Sequence, residues 1–247
     1  MGYQTLYKDS KDNSRTAKWR IYLYPNKPEH NSQVDPMAKG ARNGASQLLT
    51  QDAIGSYEIK VSYEHPNLDS YLGKKELLKK FIEYDGPNNK NSTPGSHGLL
   101  TNVVNNWGAI AELYDTPSDG QPDDNNEYFG WKVSANWLAG WNGNNKGKYQ
   151  NSAIHEPAHN FVNSQNPDVQ QYQGDDGNDD STSEDTSERD HSLGNEIFGK
   201  KSPMLTGYTD PKNWGPCSSS SSVSGYTFTL TGCTLNAVEV SAKDSET

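Results

Sequence analysis

The sequence predicts an α+β fold, on three observations. Strand and helix signals alternate through the first third of the chain, short strand signals follow, and a helix carrying two histidines comes after both groups. At 247 residues the chain has the length of one large domain or of a domain with two lobes. Hydrophobic residues make up only 31%, but 14 tyrosines and 6 tryptophans supply large buried area. That balance favours a folded chain with long loops over a disordered one.

The elements can be taken in order. Residues 18–24 (KWRIYLY) read as a strand ending at Pro25. Asp35 and Pro36 have the chemistry of an N-cap and a first helical position, and predict a helix to about Gln51 with Leu48 and Leu49 on its apolar face. Residues 56–63 alternate with period two and predict a second strand. Asp69 caps a second predicted helix, to about Tyr84, in which Leu72, Leu77, Phe81 and Ile82 recur at helical spacing and the lysines form a solvated face. A linker rich in Pro, Gly and Asn occupies residues 86–97. Short strands are then expected at 97–103, 107–113 and 128–134. Near the C-terminus, Cys217 and Cys233 flank a serine-rich run and the alternating stretch 226–230, which predicts a hairpin closed by a disulfide, the competing reading being a pair of reduced core thiols. Such a closure stabilises by about 3 kcal/mol on the chain-entropy model. It also implies an oxidising compartment, so the chain is expected to be secreted.

The most informative stretch is Ile154-His155-Glu156-Pro157-Ala158-His159, an H-E-x-x-H motif. On a helix, His155 and His159 lie at i and i+4 and project from one face, so both imidazoles can reach one Zn2+ ion. Glu156 then stands where its carboxylate can act as a base on water. The plain competing reading is a surface helix that carries these residues by chance in a chain with six histidines. Pro157 removes one helical hydrogen bond unless the helix begins only a turn earlier, capped by Asn151 or Ser152. A catalytic zinc needs a third protein ligand. His191 is the only histidine after His159; Glu184, Glu188, Asp190 and Glu196 are the acidic alternatives in the same half. Thirteen residues beyond His191, Ser202-Pro203-Met204 places the only methionine after Met37.

H-E-x-x-H, a long insertion, a histidine and then S-P-M resemble the zincin metallopeptidases, and the layout is closest to the leishmanolysin-like branch of the metzincins. The resemblance covers roughly residues 97–208 by motif and order. It implies that His155, His159 and His191 bind zinc, that Glu156 is general base and acid, and that Met204 forms a structural Met-turn. Tyr208 is a weaker transfer as a transition-state contact, because the tyrosine that follows the methionine by two residues in some metzincins falls on Thr206 here. The glycine and third histidine of the commoner metzincin pattern fall on Val162 and Gln165. The implied architecture is a mixed twisted sheet with an active-site helix and a smaller C-terminal lobe, divided here as residues 1–165 and 166–247. Residues 107–113 would be the edge strand on the rim of the cleft and 128–134 its inner neighbour, with a peptide substrate held along the edge.

The net charge of −10 is concentrated. Residues 175–190 hold eight acidic residues and one arginine, so −7 of it lies in a single segment between the second and third proposed ligands. The plain reading is a solvated insertion. The sharper one is a Ca2+ site, in which Asp176, Asn178 and Asp180 fit the EF-hand spacing but Ser181 replaces the required glycine. Acidic loops with no basic aromatic patch exclude nucleic acid as a partner. No run approaches the length of a membrane span. The expected function is a secreted, monomeric zinc endopeptidase acting on protein or peptide substrates. The alternatives are a secreted zinc-binding or surface interaction protein without catalysis, and a hydrolase of non-peptide amides.

Overall fold

The computed structural model describes residues 2–69, 73–85, 93–102, 109–112, 130–131, 134–140, 146–164, 166–173, 191–198, 200–204, 216 and 225–246. They form a mixed α and β structure around a six-stranded sheet. The strands are β1 (Gln4–Ser10), β2 (Lys18–Pro25), β3 (Ser56–Val61), β4 (Gly95–Thr101), β5 (Ala109–Glu112) and β6 (Ser134–Gly140), in the spatial order β1-β3-β2-β4-β6-β5. β3, β2, β4 and β6 run parallel. The two edge strands, β1 and β5, are antiparallel to their neighbours.

The period of two in β2 sorts its side chains between two cores. Trp19, Ile21 and Leu23 face a large core shared with the helices α1 (Val34–Thr50) and α3 (Lys146–Phe161). Tyr22 and Tyr24 face a smaller core with Leu77, Leu78, Phe81 and Ile82 of α2 (Lys74–Asp85). Side chains from the last quarter of the chain, including Met204, Cys233, Ala237 and Val238, enter the large core.

α1 reaches α3 through two glycines one turn apart. A Cβ on Gly40 would lie 2.2 Å from the Gln150 carbonyl oxygen, and one on Gly44 would lie 2.8 Å from Ile154 Cγ2. Only residues without a side chain permit this approach, and it fixes α3 one residue before His155.

Several elements differ from expectation, each for a physical reason. β1 is a strand the sequence does not announce, because QTLYKDS lies half-buried or exposed at a sheet edge and carries no apolar alternation. α1 begins at Val34, straight out of a 3-10 helix (Pro28–Gln33), so Asp35 and Pro36 lie inside its first turn rather than at its cap. β6 starts at Ser134 rather than spanning 128–134. Ala135 to Ala139 are all buried, and a strand covered on both faces has no alternation to read. Of the expected C-terminal hairpin, residues 217–224 lie outside the described residues; in 226–230 Tyr226 bridges to Lys201, and the helix α5 (Gly232–Glu246) follows, α4 being the short helix Pro167–Gln170. Thr231 caps α5, its Oγ1 accepting from the Thr234 N–H at 3.0 Å, and Cys233, Ala237, Val238, Ser241 and Ala242 form the buried face of α5 at helical spacing. Cys233 is buried and is not a free thiol; Cys217 lies outside the described residues. Among the described residues no helix is long and apolar enough to cross a membrane.

Candidate metal centre

The H-E-x-x-H motif lies in the last third of α3, and the helix is anchored on both sides of it. Asn151 Nδ2 donates to the Thr227 carbonyl at 2.9 Å. Just past the motif, Asn160 Nδ2 donates to Ser96 Oγ of β4 at 2.8 Å, and Trp131 Nε1 donates to the Phe161 carbonyl at 2.9 Å. The Phe161 ring stacks on Trp19 with centroids 4.0 Å apart. Because α3 begins at Lys146, Pro157 is well inside it, and the late helix start that would have made the proline harmless does not occur. Pro157 has no N–H to give the Ala153 carbonyl, yet the helix continues to Phe161 and the Val162 N–H still reaches the Ala158 carbonyl at 2.9 Å. The anchors at Asn160 and Phe161 hold the turn that the proline weakens.

His155 and His159 converge. Their Nε2 atoms are 3.1 Å apart, and the rings meet edge to face at 87°. On the opposite side of the first ring, His155 Nδ1 lies 2.6 Å from the Pro203 carbonyl oxygen. A carbonyl only accepts, so Nδ1 carries the proton and the lone pair of Nε2 points at the second imidazole. Burial, and after it the neighbouring His159, push the His155 pKa down to about 3, against the Pro203 bond, which raises it. The ring is therefore neutral at physiological pH, as a metal ligand must be. Glu156 is buried, with Oε1 3.9 Å from His155 Nε2.

Imidazole nitrogens are ligands of a type zinc accepts, and two of them each about 2.0–2.1 Å from a common ion and 3.1 Å apart would subtend an angle of about 100°, near tetrahedral. The Pro203 bond is the second contact by which a ligating imidazole is ordinarily oriented.

The chain segments expected to complete the site are tied to this frame by their backbone. His191 opens a 3-10 turn (His191–Leu193) whose Leu193 carbonyl accepts from the hydroxyls of Thr231 and Thr234 at the start of α5. Two residues on, the Ser202 N–H donates to the Asn195 carbonyl at 3.0 Å and the Asn195 N–H to Ser202 Oγ at 2.8 Å. Ser202 leads directly to Pro203, which holds His155, and to Met204, which is fully buried in the large core. The side chains of His191 and Glu196 lie outside what is described, as do Glu184, Glu188, Asp190, Tyr208 and the acidic segment 175–190 with Asp176, Asn178 and Asp180. Among the described residues no third His, Cys, Asp or Glu joins the histidine pair. Ser96, Trp131, Asn160 and the Pro203 carbonyl are contributors that residue types alone do not disclose. Only Pro203, adjacent to the singled-out methionine, left any trace in the sequence.

The chain matches no known protein family, no curated protein and no solved structure.

Proposed function

We propose that this chain is a secreted zinc-dependent endopeptidase with a zincin-like fold, in which His155 and His159 hold the metal, His191 is the third ligand and Met204 belongs to the turn beneath them. One observation carries the reading: two buried imidazoles direct Nε2 at Nε2 across 3.1 Å while a backbone carbonyl fixes the tautomer of the first.

A bound zinc supplies Lewis acidity at the scissile carbonyl and lowers the pKa of a water towards about 7. The chain's own residues do the rest. His155 and His159 set the direction of approach, and the Pro203 carbonyl keeps the first ring from rotating. Glu156 Oε1, 3.9 Å from His155 Nε2, is too distant to bond that nitrogen and close enough to reach a molecule held beside it. It takes the proton of the attacking water and passes it to the departing amine, so one water and one peptide bond become a carboxylate and an amine. β5 is suited to hold the substrate: it is the last strand of the sheet, and among the described residues only β6 pairs with it, which leaves its second row of backbone groups to an extended chain.

The test is metal content together with cleavage of casein, for wild type and Glu156→Gln side by side. One zinc per chain is expected in both, with turnover in the variant reduced about a thousandfold. Zinc with no cleavage in either protein would favour the non-catalytic binding protein, and wild type without zinc would sink the site itself.

A further inference from the structure

Between the His191 turn and Pro203, the chain makes a small hairpin. Glu196–Ile197 pairs antiparallel with Lys200–Lys201, in the register Glu196 to Lys201 and Ile197 to Lys200, and Phe198 follows directly at the turn between them. Phe198 is 100% exposed, and its φ of +52° lies in the left-handed region. Single exposed apolar side chains are common on protein surfaces and by themselves mean nothing. The backbone is what makes this one unusual. Tight two-residue hairpins of this kind favour Asn-Gly, because asparagine tolerates a positive φ and phenylalanine does not. Here the aromatic occupies the asparagine position, where it satisfies neither the turn nor the core.

The place of the hairpin says what the ring can meet. Its two ends, Asn195 and Ser202, are joined by the reciprocal hydrogen bonds described above, and the residue after Ser202 supplies the carbonyl 2.6 Å from His155 Nδ1. At roughly 3.3 Å per residue the tip stands within about 10–13 Å of its own base. That is a span covered by three or four residues of an extended peptide passing the metal centre.

We propose that Phe198 is a specificity-determining residue, contacting a large apolar side chain of the peptide substrate at the rim of the cleft. This rests on the peptidase reading above. An exposed aromatic ring has few side-chain torsions to lose when covered and contributes large apolar area, and it marks the position at which a bound chain gains most from an apolar residue.

The experiment compares wild type, Phe198→Asn and Phe198→Tyr in casein cleavage, with the cut bonds mapped by mass spectrometry. Zinc content and thermal unfolding are measured alongside. Wild-type cuts should share an apolar residue at one fixed position from the scissile bond. Phe198→Asn should lose that preference and raise KM about tenfold, with kcat changed less than about twofold. It should keep its zinc, and its Tm should stay level or rise, because asparagine suits the turn better. Phe198→Tyr should keep the preference. Wild type that cleaves casein with Phe198→Asn matching it in KM and cut pattern overturns this inference and leaves the peptidase reading intact. A fall in Tm or zinc content in Phe198→Asn would show a structural role and overturns it equally. Wild type that does not cleave at all removes the peptidase reading and this inference with it.

Discussion

His97 and His155 are both buried, both neighbours of other rings, and both bound through one nitrogen to a backbone carbonyl, yet their second nitrogens meet different partners. In His97, Nε2 donates to the Thr93 carbonyl at 3.0 Å and Nδ1 accepts from the Tyr24 hydroxyl at 2.9 Å, which itself meets the Tyr3 hydroxyl at 2.6 Å. Tyr22 stacks on the ring with centroids 4.5 Å apart. Both nitrogens are used by neutral protein groups, and the residue completes a polar chain inside the smaller core. In His155 the carbonyl bond does the same for Nδ1, but Nε2 is turned to another imidazole nitrogen 3.1 Å away. Burial and a carbonyl partner therefore do not mark a ligand. On the zinc reading the difference lies in the second nitrogen, which in His155 faces a nitrogen of the same kind, an arrangement that a shared cation would stabilise.

The strongest test of this distinction is to remove each histidine in turn. His155→Ala and His159→Ala should each weaken zinc binding by at least about a hundredfold and remove casein cleavage, while the fold is retained. His97→Phe should do the reverse. It removes the donor to the Thr93 carbonyl and the acceptor of the Tyr24 hydroxyl, which keeps its contact with Tyr3, so it should cost about 2 kcal/mol in unfolding free energy and leave zinc stoichiometry at one. Zinc titration and denaturant unfolding of the three variants check both halves. If His97→Phe lost zinc, or His155→Ala kept it, the contrast between the two sites would fail.

A smaller effect is expected from the helix contact that carries the site. Gly40→Ala forces a methyl into a space where it would lie 2.2 Å from the Gln150 carbonyl, so α1 and α3 must separate. The expected cost is about 1–3 kcal/mol, with a severalfold loss of zinc affinity, because His155 lies beyond Gln150 on the same helix. Gly73→Ala is the control, since nothing lies within 4 Å of a Cβ built there. Equal zinc affinities in the two variants would mean that the helix contact stabilises the fold without setting the geometry of the histidines.

How much of this was legible in the sequence depended on whether a residue's own type carried the signal. The pair His155 and His159 could be read because a period of 3.6 residues puts them on one face whatever surrounds them. β3 could be read because its side chains alternate between half-buried and buried, and β2 because its run of large apolar residues stops at Pro25. β5 lies within the stretch expected for the edge strand, but its inner neighbour was misplaced because Ala135 to Ala139 are buried throughout and show no alternation. α5 could have been found: Thr231 with Cys233, Ala237, Val238 and Ala242 is a capped helical pattern, and the alternation of 226–230 just before it drew the reading towards a hairpin. Pro203 stood beside the methionine that the sequence singled out, but the role of its carbonyl could not be read, since a main-chain oxygen has no residue-type signature and its meeting with His155 spans 48 positions.

The mildest prediction concerns a third kind of buried histidine. His30 Nε2 accepts from the Asn102 N–H at 3.3 Å, so Nδ1 carries the proton, and that buried atom has no hydrogen-bond partner among the described residues. Burial lowers the His30 pKa from 6.5; Glu29 opposes the shift, and Lys27 and His65 add to it. Protonation would place a charge in the buried ring and take away the lone pair that Asn102 uses. The unfolded chain binds a proton near the ordinary value while the folded one does so only at lower pH, so between the two the unfolded state holds more protons. Stability is therefore full above about pH 6.5 and falls as the pH drops through the interval down to the folded pKa. His30→Gln keeps an acceptor for Asn102 and cannot titrate. Its unfolding free energy should be flatter than that of wild type between pH 7 and pH 5, which denaturant titrations of the two zinc-loaded proteins would measure. Parallel curves would mean that His30 is protonated as readily folded as unfolded, and that its buried Nδ1 has found an acceptor.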